Sequence, residues 1–124
     1  MENALVVSAG CLGMVIALIH GYLGETRVVR AAKGLSESQL RVLQAVMFLS
    51  ATYWFIGGAV LAVAPVFLTA NQQFIAAIVV GAMYLTGAIG NAWATRGRHI
   101  GWVLLTLAVV LAWGGALAIA RSGP

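Results

Sequence analysis

The chain holds 124 residues, of which 62% are hydrophobic and 8% charged. A soluble domain carries about 25% charged residues, so this composition excludes a water-soluble fold and predicts one integral membrane domain over residues 1–124. The net charge of +4 comes from seven basic and three acidic residues. The basic residues fall between apolar runs and at one end, so they report orientation in a bilayer and no nucleic-acid partner is expected.

A membrane-spanning helix needs about 20 predominantly apolar residues. Four stretches qualify, near residues 4–23, 42–64, 74–93 and 100–120, and none contains Asp, Glu, Lys or Arg. Inside a bilayer each backbone polar group must be satisfied within its own segment, so the expected class is all-α, a four-helix transmembrane bundle. Cys11, in the first stretch, is the single cysteine. It has no intrachain disulfide partner and is read as a small hydrophobe. Ser8-Ala9-Gly10-Cys11 loosely resembles a lipoprotein processing site, but no basic residue precedes it and the apolar run before it is too short.

The first connection, residues 24–41, carries Arg27, Arg30, Lys33 and Arg41. Within it, Ser36 followed three residues later by Gln39 has capping-box spacing, so the second helix is expected to start outside the membrane. Pro65 is expected to help stop that helix. The connection over residues 65–73 has no charge, and the third, residues 94–99, carries Arg96 and Arg98. Six of the seven basic residues thus lie in the first and third connections. The positive-inside rule makes both cytoplasmic and gives an N-out/C-out topology.

Small residues recur every four positions: Ala9, Gly13, Ala17 and Gly21 in the first helix, and Ala108, Ala112, Ala116 and Ala120 in the fourth. Ala77 and Gly81 make a shorter row in the third, and Gly57, Gly58 and Ala62 serve the second. Such rows let helices approach closely in lipid, inside one bundle or between subunits. Trp93 and Trp102 fall where Trp anchors at the interface. Trp54, Trp113, Tyr53 and Tyr84 read as packing residues.

Polar side chains in the spans gather near one leaflet. His20, Gln44, Asn91 and His99 bring one hydrogen-bonding group per helix to the basic side, and Glu25 lies just beyond. The layer is either a cytoplasm-facing polar cavity, in which His20 exchanges protons near neutral pH, or a cap tying four helix ends together. Gly24 is expected to end the first helix, letting Glu25 fold back to Arg96 or Arg98 while His20 points at Asn91 or Gln44. Two histidines at one depth also raise bis-histidine haem ligation, with no further motif behind it. No paired carboxylate, nucleophile motif, phosphate loop or zinc constellation occurs, so an enzyme is not expected.

His20-x-x-Leu23-Gly24-Glu25, closing the first helix and followed by Arg27 and Arg30, resembles an element of small four-helix bacterial membrane proteins of unassigned function. The resemblance covers the first half of the chain and implies fold and compartment, an inner membrane. Those proteins carry a Trp-His pair in helix two, whereas residues 46–54 here contain no histidine. The reading that results is a non-enzymatic accessory or assembly subunit of a larger membrane complex, or a homo-oligomer, with lipid and other membrane subunits or itself as partners. The competing reading is a small transporter or channel for a proton, ion or small solute. A haem-binding electron carrier stands third, and no other cofactor is expected.

Overall fold

Ser36 begins the longest helix. Its Oγ accepts the Gln39 amide at 3.3 Å, and Gln39 Oε1 accepts the Ser36 amide at 2.9 Å. This reciprocal pair satisfies two amides that a helix start otherwise leaves unpaired. In the computed structural model, which describes residues 2–122, four α-helices follow one another: α1 (Glu2–Leu23), α2 (Glu37–Phe67), α3 (Ala70–Thr95) and α4 (Gly101–Ser122). No strand occurs among the described residues, and all four helices are long and apolar enough to cross a membrane.

At about 1.5 Å per residue, the 31 residues of α2 exceed the ~30 Å hydrocarbon core. Its first turns, with the exposed Glu37–Arg41 ion pair at 3.1 Å, extend past the apolar band. Pro65 does not stop α2, which runs on to Phe67. A proline inside a helix forfeits its own amide hydrogen bond and crowds the carbonyl four residues back, and α2 ends two residues after it. The stop comes at Leu68, which is extended, and at Thr69, which caps α3 through a second reciprocal box with Gln72.

α3 ends with Arg96 in the left-handed region, φ +51°. The Gly97 amide reaches Ala92 O at 2.8 Å and the Arg96 amide reaches Trp93 O at 3.2 Å. These two bonds make a Schellman closure. α1 does not end at Gly24 as expected. It continues as a π-helical turn, Gly24–Val29.

α1 packs against α2 and α4, and α3 packs against α4, while the α2–α3 contact is smaller. The core holds Val6, Leu61, Tyr84 and Leu105, with alanines between them. Gly13, Ala17, Ala108, Ala112 and Ala116 are all buried inside this one chain, whereas Ala120 is exposed and Gly21 is half-buried beside Ala51. Small residues here make room for specific partners. Gly13 lies under the Tyr84 ring, Gly81 under the Trp113 indole and Gly87 under Trp54. Gly10 of α1 and Gly58 of α2 meet backbone to backbone. Tyr84 donates to Trp54 O at 3.3 Å, which satisfies its buried hydroxyl, and the half-buried Trp113 donates to Ile78 O at 3.3 Å. Tyr53, expected to pack, is exposed instead.

Candidate functional site

Met47, Ser50 and Trp54 are spaced three and four residues apart, so they form one stripe along α2. That stripe faces His20 of α1. His20 Nε2 lies 3.1 Å from Ser50 Oγ, and Ser50 Oγ in turn donates to Met47 O at 3.0 Å. The Ser50 hydroxyl thus stands within hydrogen-bond distance of both the His20 ring and the Met47 carbonyl. The His20 and Trp54 rings touch at a centroid distance of 4.6 Å, tilted by 47°.

His20 and Trp54 form one wall of a cavity of about 510 Å³ between α1, its π-helical turn, α2, the end of α3 and the start of α4. Most of its lining is apolar, from residues such as Ile16, Ile19, Leu104 and Leu105. Its polar lining is His20, Arg27, Asn91, Thr95 and His99. Thr95 is bonded to Asn91 O at 2.7 Å. His99 Nδ1 accepts the Gly101 amide at 3.0 Å, which leaves the ring proton on Nε2. Gly101 matters for space as well: a Cβ there would stand 2.8 Å from His99 Nδ1 and 3.2 Å from Asn91 Nδ2. Asn91 Oδ1 is buried and has no hydrogen-bond partner among the described residues.

Three of the five residues expected in a polar layer, His20, Asn91 and His99, therefore line one space. The other two do not. Gln44 is exposed, on turns of α2 whose neighbours are mostly exposed too. Glu25 is drawn to Arg30, at 3.5 Å, and does not fold back to Arg96 or Arg98. The π-helical turn is the cause. It bonds the Arg30 amide to Glu25 O at 3.1 Å, and an i, i+5 backbone bond sets residues five apart side by side. The partner of His20 is Ser50, neither Gln44 nor Asn91. Ser50 and Trp54, which read from the sequence as packing residues of α2, stand at the site. The available signal was their four-residue spacing, which puts both on one face.

No group of three or more His, Cys, Asp and Glu side chains placed to hold a metal ion occurs among the described residues. A second, shallower hollow of about 430 Å³ runs between α1 and α2. Ala17, Gly21 and Ala51 form its floor, and Leu18, Tyr22, Phe48 and Phe55 stand exposed along it. Comparisons with protein-family models, curated proteins and solved structures return no match to this chain.

Proposed function

We propose that this is a multi-pass protein of a bacterial inner membrane that works without catalysis, as an accessory or assembly subunit seating a transmembrane helix of another subunit. The observation that carries the reading is the α1–α2 groove. Its floor is made of small residues, Ala17, Gly21 and Ala51, and its rims are large apolar side chains, Phe48 at 69% and Tyr22 at 70% exposed. Helices associate in lipid where small residues permit close approach and large neighbours interdigitate. Along the small-residue row of α1, Gly13 and Ala17 are buried inside the bundle, while Gly21, beside Ala51, is only half-buried at the groove.

Mass measurement in a mild neutral detergent tests the reading. The wild-type chain should carry the additional mass of a second membrane protein, and Ala51→Phe, which fills the groove, should shed it while the helical content stays unchanged. A mass that is a multiple of this chain, lost in the same variant, assigns the groove to a second copy. Wild-type monomers, or association unaffected by Ala51→Phe, would remove the basis for the proposal.

The proposed orientation is N-out/C-out, with residues 30–36 and 96–100 cytoplasmic, and the clustering of Arg27, Arg30, Lys33, Arg41, Arg96 and Arg98 at one end of the bundle supports it. A reporter active only outside the cytoplasm should work when fused after Arg121 and stay silent when inserted near Lys33. The reverse pattern overturns the orientation.

A further inference from the structure

The cavity beside His20 shares no lining residue with the groove and lies between α1, its π-helical turn, α2, the end of α3 and the start of α4. We propose that it is a binding site for an anionic amphiphile, a molecule with an acyl-type apolar body and a carboxylate or phosphate head. The proposal rests on the membrane reading above and goes beyond it by naming a ligand class.

Size and wall chemistry come first. Small-molecule sites occupy about 300–1,000 Å³ and pair apolar walls with a few placed polar groups. This cavity, at about 510 Å³, has Ile16, Ile19, Trp54, Leu104 and Leu105 as its apolar part. Those side chains offer an acyl body the same surroundings as lipid.

The polar end decides the sign of the head. Arg27 lines it and takes part in no ion pair among the described residues. The acid closest to it in sequence, Glu25, is engaged by Arg30 at 3.5 Å. No carboxylate side chain lines the cavity. His99, with Nδ1 occupied by the Gly101 amide at 3.0 Å, presents Nε2–H as a donor. Asn91 Nδ2 stands beside the same glycine. The set is rich in donors and positive, so it suits an oxygen anion, to which charge-assisted hydrogen bonds are the strong ones.

Asn91 adds an independent point. Its Oδ1 is buried and unpartnered, and leaving a buried acceptor unpaired is costly. Its Nδ2 can donate to an anionic head, while Oδ1, an acceptor, calls for a hydroxyl donor on the same ligand, such as the glycerol of phosphatidylglycerol. Position agrees as well. The polar end lies at the Arg-rich end of the bundle, and basic pockets between membrane helices on the cytoplasmic side are where acidic head groups bind.

Native mass spectrometry of the purified protein in a neutral maltoside detergent tests the proposal, with oleate, oleic acid methyl ester, phosphatidylglycerol and phosphatidylcholine as probes. Oleate or phosphatidylglycerol should bind one-to-one and at least tenfold more tightly than its neutral counterpart. Preference for oleate identifies a free carboxylate as the head, and preference for phosphatidylglycerol identifies a phospholipid. Arg27→Gln should weaken the anionic probe about tenfold. Asn91→Leu should also weaken it, with the thermal midpoint of the ligand-free protein unchanged or raised because no protein hydrogen bond is lost. Neutral probes binding as well as their anionic counterparts, or Arg27→Gln binding the anionic probe as tightly as wild type, would overturn the assignment. The orientation fusions fail independently, since a bundle of reversed sidedness still holds the probe.

Discussion

Gly58→Ala should destabilise the bundle by about 3 kcal/mol or more, and Gly10→Ala should do the same, the largest single-methyl effects expected anywhere in this chain. A Cβ on Gly58 would stand 2.7 Å from Gly10 O and 2.9 Å from the Met14 amide nitrogen. A Cβ on Gly10 would stand 2.5 Å from Gly58 O and 2.6 Å from the Ala62 amide nitrogen. Apart from Met14 Cγ, also 2.9 Å from the Gly58 Cβ position, these neighbours are backbone, so a rotamer change alone does not relieve the overlap, and α1 and α2 must separate. Separation spreads the loss along the crossing, because interior packing has few voids to absorb it. Gly90→Ala is the matched control. Nothing lies within 4 Å of its Cβ position, and alanine in a helix interior is better than glycine by roughly 0.5–1 kcal/mol. Reversible unfolding in mixed micelles, followed by circular dichroism, reads all three. If Gly58→Ala and Gly10→Ala unfold at the wild-type midpoint, α1 and α2 do not cross at this pair. The double variant should cost less than the two singles together, since both press on one contact.

That crossing also shows where sequence reading reaches its limit. The row Ala9, Gly13, Ala17, Gly21 is plain at four-residue spacing, yet the tightest approach is at Gly10, one residue off it. A row marks a face, and α1 has several. Gly10 meets α2, Gly13 meets Tyr84 of α3, and Val6 packs against Gly115 of α4. Spacing within one helix carries no information on how many neighbours surround it. Capping gives a similar contrast. Ser36 with Gln39 reads directly as a helix start because charged residues precede it. Thr69 with Gln72 has the same spacing, but Asn71-Gln72-Gln73 looks like a polar loop, so the start of α3 is read late.

The polar layer was legible in outline because depth along a span can be counted. His20, Asn91 and His99 fall at one level by counting alone, and they share a cavity. Gln44 failed the same count because its depth was measured from the first apolar residue, while α2 starts at Glu37 and its early turns stand clear of the bundle. Glu25 lies elsewhere because its fold-back to Arg96 or Arg98 requires the first helix to end at Gly24. The π-helical turn carries the chain on past Gly24, and no residue in Gly24-Glu25-Thr26-Arg27-Val28-Val29 announces it. Tertiary contact supplies the reason: Gly24 is buried against Met47, with Sδ 3.0 Å from its Cβ position, and Val29 is buried too. Widening the turn lets both meet the bundle.

Gly13→Ala should cost about 2 kcal/mol, and the route of that cost can be isolated. A Cβ at position 13 would overlap the Tyr84 hydroxyl and ring edge. Tyr84 is fully buried and its hydroxyl donates to Trp54 O at 3.3 Å. One added methyl therefore pushes on a ring that cannot retreat into solvent, and overpacking of that kind costs about 1–3 kcal/mol. Tyr84→Phe alone should cost about 0.5–1.5 kcal/mol, the net value of one hydrogen bond, and leaves the Trp54 carbonyl to its helix partner. In the double variant the hydroxyl that the methyl strikes is absent. Its loss should fall short of the sum of the singles by about 1 kcal/mol, a coupling expected only of groups in contact. Relief is partial because the ring edge remains. The same unfolding measurement in mixed micelles gives all four corners of the cycle. Strict additivity would mean that Gly13 is small for some reason other than Tyr84. A double variant less stable than the sum would mean that the hydroxyl, rather than being crowded by position 13, holds the ring away from it.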